Sequence, residues 1–206
     1  MTAPTLPIAM QSASLLLGYP DAELLGRLPL LQAGADRLPV AARDPLHRFL
    51  THLAGTPPER LATDYVDTFD LRRRCCLYLT YYSHGDTRKR GMALLRFTHA
   101  YRAAGFEVAD GELPDHLAVV CEFTAMAADA GVRLLRQHRA GVELLRIALA
   151  EAGSAYVDVI DAVRAVLPDP APRDIDKALA LARSGPPAEE VGLEPFAPPD
   201  YMGARR

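Results

Sequence analysis

The sequence lacks the features of a membrane-spanning or secreted protein. No uninterrupted apolar run approaches the roughly 18 to 20 residues that a helix needs to cross a bilayer. No lysine or arginine precedes Arg27, so the start lacks the positive region of a secretory signal. We therefore expect a soluble, cytoplasmic protein that does not insert directly into a membrane.

An excess of basic residues is also absent. The formal net charge is −3 at pH 7, and the isoelectric point is near 6.1. Proteins that bind nucleic acid normally carry clustered cations that neutralise phosphates. We therefore expect no nucleic-acid partner.

Cysteine is sparse, with three residues at Cys75, Cys76 and Cys121 and no C-x-x-C pair. This pattern fits reduced thiols in a reducing compartment. Two adjacent cysteines are poor partners for one metal ion, and no neighbouring cluster completes four ligands. We expect the cysteines to be structural or incidental, with no metal site.

Common catalytic signatures are missing. The chain has no G-x-x-x-x-G-K-[ST] phosphate loop, no G-x-S-x-G elbow and no H-E-x-x-H zinc pair. Asp44 and His47 have the i, i+3 spacing found in di-iron bundles, but no second pair completes such a site. We expect a protein that is not an enzyme and has no cofactor.

Strand patterns are nearly absent, because no stretch alternates apolar and polar residues between hairpin turns. Apolar residues instead recur at helical spacing, as in Leu94, Phe97 and Tyr101. The predicted fold is all-α, a single-domain bundle of about seven to nine helices over residues 1–185. Residues 186–206 are rich in proline and poor in core residues, so we predict a mobile, disordered tail.

Local signals predict several helix ends. Polar caps or first-turn prolines that favour helix starts occur at Asp21, Thr56 (followed by Pro57, Pro58 and Glu59), Pro114 and Ser154. Glycines positioned to end a helix occur at Gly105, Gly131 and Gly153.

One stretch, residues 65–91, is unusually dense in aromatic and charged residues. It contains four of the eight tyrosines, Tyr65, Tyr78, Tyr81 and Tyr82, and two basic triplets at 72–74 and 88–90. Taken singly, these residues fit core positions and a solvated face. As a cluster, large amphipathic aromatics beside charged groups are typical of a groove that binds a peptide.

A second candidate is the run from Pro114 to His116, placed at a predicted helix start. Proline suits the first turn of a helix, and Asp115 favours its positive end. His116 could make only a local hydrogen bond there, or its side chain could reach a neighbouring cleft. The two alternatives stay open on the sequence alone.

These stretches together resemble the NarJ-type nitrate reductase assembly chaperones, which belong to a broader group of dedicated molybdoenzyme chaperones. The resemblance depends on YVDTFDLRRRCCLYLTY at 65–81, HGDTRKRG at 84–91, YRAAGF at 101–106, ELPDHL at 112–117, Glu122 with Phe123, and LGYP at 17–20. It is close over residues 65 to about 123. After about residue 150 only the helical character is shared.

The resemblance implies a helical chaperone that binds the N-terminal segment of the apo catalytic subunit of a respiratory nitrate reductase. Such a chaperone keeps the subunit open for insertion of bis-molybdopterin guanine dinucleotide and delays membrane docking. The Pro-Asp-His motif and the preceding aromatics are implied to form the peptide site. The candidate peptide-binding residues are Tyr65, Phe69, Asp70, Tyr78, Tyr81, Tyr82, His84, Asp86, Pro114, Asp115 and His116.

Two other functions remain alternatives. The chain could be a helical peptide-binding adaptor for a different molybdoenzyme or another client, which a swapped client peptide would reveal. It could also be an enzyme on a helical bundle, which stoichiometric metal or haem would reveal.

For the chaperone, we expect an amphipathic client segment whose cations pair with Asp70, Asp86 and Asp115. We also expect replacement of Asp115 or His116 to weaken peptide binding with little change in the thermal midpoint.

Overall fold

The computed structural model describes residues 5–85, 87–109 and 111–184, and nearly all of its regular structure is helical. The twelve α-helices in these ranges are α1 (Thr5–Leu16), α2 (Ala22–Gly26), α3 (Leu28–Ala35), α4 (Val40–Gly55), α5 (Pro58–Tyr65), α6 (Leu79–His84), α7 (Lys89–Ala103), α8 (Leu117–Met126), α9 (Ala128–Gln137), α10 (Arg139–Glu151), α11 (Val157–Val166) and α12 (Pro172–Ser184). The prediction of an all-α, single-domain fold is confirmed. The predicted tail at 186–206 and Asp86 lie outside the described residues.

The described helices are more numerous and shorter than the seven to nine expected. The leucines from Leu24 to Leu31 recur at helical spacing, but they are divided between α2 and α3 at Arg27, whose N–H donates to the Leu24 carbonyl at 3.0 Å. Between α5 and α6 the chain forms a π-helical turn (Val66–Asp70) and a 3-10 turn (Arg73–Cys75). Apolar periodicity continues across such breaks, so it overestimates helix length.

Several predicted helix ends are confirmed. Asp21 caps α2, accepting a hydrogen bond from the Leu24 N–H at 2.8 Å. Gly105 and Gly153 follow α7 and α10 with φ of 82° and 65°, the left-handed conformation that glycine adopts without strain.

Other predicted ends are wrong. Thr56 does not cap α5, because its hydroxyl lies 3.4 Å from His52 Nδ1 and α5 begins at Pro58 without a side-chain cap. Gly131 lies inside α9 rather than after a helix. Pro114 is not a first-turn residue, since α8 begins at Leu117.

The core is centred on α1 and α11, which pack on each other, while α8 packs on α1 and α4 packs on α11. These helices contribute fully buried side chains, among them Met10, Leu16, Phe49, Val120 and Ile160. Burying one large apolar side chain contributes roughly 1.5 to 3 kcal/mol to the stability of the fold.

Among the described helices, none combines the length and the apolar composition that a membrane-spanning helix requires.

Helix α6 is fixed on this framework through Tyr82. Its buried ring packs against Gly141 of α10, where an added Cβ would lie 3.2 Å from the ring. The Tyr82 hydroxyl lies 3.0 Å and 2.8 Å from the carbonyl oxygens of Arg74 and Cys76. Tyr82 therefore ties α6 to α10 and to the 3-10 turn.

Candidate peptide-binding cleft

The start of α6 and the start of α8 are joined by two backbone hydrogen bonds. The Leu79 N–H donates to the Asp115 carbonyl at 3.0 Å, and the Leu117 N–H donates to the Leu77 carbonyl at 2.8 Å. Tyr78 and His116 are thereby opposed as an isolated antiparallel bridge. In this type of pair the backbone does not bond directly and the side chains lie close together.

The opposed rings of Tyr78 and His116 lie in contact. Their centroids are 5.1 Å apart in an edge-to-face arrangement. Arg90 of α7 lies on the Tyr78 ring, with its guanidinium carbon 5.4 Å from the centroid. The backbone bridge therefore fixes an aromatic pair at the junction of α6, α7 and α8.

Asp115 supports this junction from inside the protein. Its side chain has no exposed surface, and Oδ2 accepts hydrogen bonds from the Thr80 N–H at 3.0 Å and the Thr80 hydroxyl at 2.5 Å. The Arg90 guanidinium lies 3.9 Å from the same oxygen. A carboxylate from a distant part of the chain thus caps the N-terminus of α6.

The outer side of the bridge opens into a cleft of about 710 Å³, within the range of roughly 300 to 1,000 Å³ that is typical of ligand pockets. Its walls come from the ends of α1, α5 and α7, from α8 and from the connection between α7 and α8. The lining residues are Ser14, Gly18, Tyr19, Tyr65, Tyr78, Tyr101, Phe106, Glu107, Val108, Ala109, Glu112, His116, Ala118, Val119, Glu122, Phe123 and Met126.

Aromatic contacts line the cleft from end to end. Tyr19, half exposed, packs edge-on against Tyr65 with ring centroids 5.4 Å apart. At the other end, Phe123 lies 4.4 Å from Tyr101 and 5.8 Å from Phe106. The cleft can therefore bury apolar side chains between rings held by the core.

The charge of the cleft is negative. Glu107, Glu112 and Glu122 are exposed at its edge, and no lysine or arginine occurs among the described residues that line it. Glu107 lies 3.9 Å from Arg102, whereas Glu112 and Glu122 have no cationic partner within 4 Å in the described ranges. This arrangement favours a ligand that combines apolar groups with positive charge.

The structure divides the candidate peptide-binding residues into two groups. Tyr65, Tyr78 and His116 line the cleft. The other described candidates do not line it: Phe69, Asp70, Tyr81, Tyr82, His84, Pro114 and Asp115.

Asp115 differs most from the sequence-based expectation, because its side chain points to Thr80 and is shielded from solvent. Pro114 acts through its backbone, since its carbonyl accepts the Tyr101 hydroxyl at 2.6 Å. Asp70 is exposed, and Tyr81 and His84 are half-buried. None of these side chains contributes directly to the cleft surface.

Tyr65 and Phe69 lie on the turn of the chain where α5 becomes a π-helix. Their rings are 4.9 Å apart, and Phe69 packs 4.7 Å from Tyr156. Burial raises the pKa of Tyr65 to about 12, and the nearby carboxylate of Asp70 acts in the same direction. The Tyr65 hydroxyl therefore stays protonated and donates to the Leu17 carbonyl at 3.2 Å.

The sequence itself identifies the family to which this fold and cleft belong. Residues 35–161 match the sequence model of a family described as the nitrate reductase delta subunit. The chain belongs to this family. The match includes every lining residue of the cleft after Tyr19.

Relatives of known name agree with the NarJ-type resemblance. A Bacillus subtilis NarJ, named as a nitrate reductase molybdenum cofactor assembly chaperone, is 33% identical over 165 residues, which cover 78% of this chain and 88% of the relative. Escherichia coli NarJ is 30% identical over 158 residues, covering 75% and 67%. Because these family members are named as chaperones, the prediction that the protein is not an enzyme is confirmed.

Two further similarities extend the comparison. The nitrate reductase-like protein NarX of Mycobacterium tuberculosis is 43% identical over 157 residues, which are 76% of this chain but 24% of NarX. The chain thus spans about a quarter of the length of NarX. A solved structure described as a redox enzyme maturation protein from Archaeoglobus fulgidus superimposes with a TM-score of 0.60 at 25% identity, covering 77% of this chain and 91% of that one.

Sequence reasoning missed much of the cleft in this NarJ-type protein, although signals for it were present. The missed aromatic and acidic lining residues lie in motifs that carry the family resemblance or directly beside them. They are Tyr19, Tyr101, Phe106, Glu107, Glu112, Glu122 and Phe123. Since the motifs are separated in the chain, their meeting around one cleft depends on the tertiary fold.

Metal chemistry finds no support at this site. In the ranges that the structure describes, no three histidine, cysteine or acidic side chains are grouped so that they could hold a metal ion. Cys121 is fully buried, and burial raises its pKa to about 12, so it remains a thiol at neutral pH.

His116 is expected to make stability depend on pH. Burial lowers its pKa below the ordinary value of 6.5, an effect that exceeds the opposite influence of Glu112 and Asp115. Nδ1 is buried without a hydrogen-bond partner, so protonation would place an unpaired donor there. Between the folded-state pKa and about 6.5 the unfolded chain binds the extra proton, so stability falls as pH is lowered through this interval.

Urea unfolding at several pH values tests this prediction. From pH 7.5 to about 5.5, the unfolding free energy of the wild type should fall more than that of His116→Gln. His99→Gln, which changes an exposed histidine, is the matched control and should retain the wild-type pH dependence. An unchanged pH dependence in His116→Gln would show that His116 takes up its proton equally in both states.

Proposed function

We propose that the protein is a system-specific chaperone for a respiratory nitrate reductase. In this proposal it binds the N-terminal segment of the apo catalytic subunit in the cytoplasm and supports molybdenum cofactor insertion before membrane docking. The names of the Bacillus and Escherichia relatives support the client and the process. The family resemblance of residues 65–123 supports the N-terminal segment as the part of the client that is bound.

The observation that carries this proposal is the combination of aromatic walls and unpaired carboxylates in one cleft. An amphipathic segment would place apolar side chains between Tyr65, Tyr78 and Phe106. Its lysines or arginines would face Glu112 and Glu122 at the edge. The buried Asp115 would act indirectly, by holding α6 and therefore Tyr78 in position.

Calorimetric titration with a synthetic peptide of the client's N-terminus tests the proposal. Burial of apolar surface should give a negative heat-capacity change. Removing the Tyr78 ring in Tyr78→Ala should weaken binding roughly tenfold, because central aromatic contacts usually contribute more than about 1 kcal/mol. A peptide from the N-terminus of another molybdoenzyme should bind more weakly, and equal binding would favour a general adaptor.

A second measurement tests the role of the negative charge at the cleft edge in peptide binding. Glu112→Gln combined with Glu122→Gln should weaken peptide binding roughly 2- to 30-fold and reduce its salt dependence, since exposed ion pairs contribute about 0.2 to 1 kcal/mol each. Most of the loss should appear as a slower association rate. Glu59→Gln, on the exposed surface of α5, is the control and should bind normally. If the double variant binds with unchanged affinity and salt dependence, the carboxylates do not contact the client.

A further inference from the structure

A second depression lies between α7 and α9 and shares no lining residue with the cleft. It has a volume of about 410 Å³, and its floor contains Ala100, Ala103, Ala104 and Ala130. Alanine side chains are short, so a bound chain can approach both helices closely. We call this surface the basic groove, because its charged residues are cations.

The cations of the basic groove are Arg96 and Arg133, and no carboxylate lines it among the described residues. Neither arginine has a carboxylate within 4 Å in the described ranges, whereas Arg146 and Arg164 of the neighbouring helices both bind Asp161. The chain from residue 87 to 106 contains no aspartate or glutamate at all. The groove is therefore a positive surface on a protein whose net charge is −3.

The chain itself contains a segment of the opposite character. Residues 185–204 include four acidic residues, Glu189, Glu190, Glu194 and Asp200, and no lysine or arginine. Val191, Leu193 and Phe196 lie between these acidic residues. Negative charge interleaved with apolar side chains is what a basic groove with an alanine floor would bind.

We infer that residues 185–204 bind in the basic groove of the same molecule. Twenty residues can span up to about 70 Å, which exceeds the diameter of a domain of this size. Tethering gives such a segment an effective concentration in the millimolar range, so weak contacts suffice for occupancy. The five prolines between residues 186 and 199 also reduce the conformational entropy that binding removes.

A further exposed cationic surface, at the basic triplet 72–74, fits this segment less well. Arg72, Arg73 and Arg74 surround a smaller depression of about 340 Å³ that also contains Glu151. Arg74 lies 3.6 Å from that carboxylate. An acidic segment would meet a like charge there, which the basic groove does not present.

Tryptophan fluorescence of the full chain tests the inference. The sequence contains no tryptophan, so Phe196→Trp introduces a single reporter into the segment. We expect its emission to lie at shorter wavelength, with less quenching by acrylamide, than in a synthetic peptide of residues 185–206 carrying the same replacement. Arg96→Glu with Arg133→Glu should shift both readings to those of the peptide, as should an ionic strength of about 1 M.

Charge exchange and a matched control make the test specific. Adding Glu189→Lys and Glu190→Lys to the Arg96→Glu, Arg133→Glu chain should restore the shielded emission. Arg72→Glu with Arg73→Glu reverses the same number of exposed charges elsewhere and should leave the emission shielded. Circular dichroism should show that every variant retains its helical content, since all four arginines are exposed.

Three results would overturn the inference. Emission of the full chain identical to that of the peptide would mean that the segment stays in solvent. If the shielding survives Arg96→Glu with Arg133→Glu, the segment lies elsewhere. The same follows if Arg72→Glu with Arg73→Glu abolishes the shielding equally. No client enters this experiment, so its outcome is independent of the proposed function.

Discussion

Replacing Asp115 with alanine is expected to lower the free energy of unfolding by about 3 kcal/mol. The change removes the acceptor of the Thr80 N–H and hydroxyl and leaves Arg90 beside an uncharged site. It also uncaps α6, whose first turn carries Tyr78 at its start. For a chain of this length the melting temperature should fall by roughly 6 to 12 °C.

Thermal and urea unfolding provide the measurement for Asp115→Ala. Asp67→Ala changes an exposed aspartate and should shift stability by no more than about 0.5 kcal/mol. Asp115→Asn retains an amide oxygen that can accept from Thr80, so it should lie between wild type and Asp115→Ala. A wild-type midpoint in Asp115→Ala would restore the sequence-based view that Asp115 serves recognition without serving stability.

Replacing Gly131 with alanine is expected to destabilise the fold by about 3 kcal/mol or more. A Cβ at this position of α9 would overlap with the Cα and with the hydroxyl oxygen of Thr124 in α8. The first of these atoms belongs to the backbone, so a rotamer change cannot relieve the contact. The two helices would have to separate.

Gly91 offers a matched control for Gly131→Ala. It lies in α7 with no heavy atom within 4 Å of an added Cβ, so Gly91→Ala should be neutral or stabilise the helix by up to about 1 kcal/mol. Thr124→Ala should not rescue Gly131→Ala, because the Thr124 Cα remains in place. If both glycine variants unfold at the same urea concentration, α8 and α9 are free to shift apart.

The opposite roles of Gly131 and Gly153 show where sequence reasoning fails. Both glycines follow apolar helical stripes and were predicted to end helices. Gly153 does so with a positive φ, whereas Gly131 continues α9 and allows its close contact with α8. The local sequence shows only that the position holds a glycine. Whether the glycine ends the helix or allows close contact with another helix depends on the neighbouring helix.

The tyrosines of residues 65–82 divide in a similar way. Their clustering correctly indicated an aromatic region, but Tyr82 is buried against Gly141 while Tyr65 and Tyr78 line the cleft. Periodicity places residues on a helix face and does not say whether that face meets solvent or another helix. The division depends on where α10 packs.

Local sequence patterns account for the helical class, the Asp21 cap of α2, the left-handed glycines after α7 and α10 and the motifs of the NarJ-type family. Each of these follows from local spacing or from residue identity at neighbouring positions. Helix packing makes Asp115 a buried cap of α6, and it brings acidic residues 107, 112 and 122 to tyrosines 65 and 78 around one cleft. These features require hydrogen bonds between residues 35 positions apart or more, such as Thr80 to Asp115 and Leu117 to Leu77, and no local pattern encodes such a pairing.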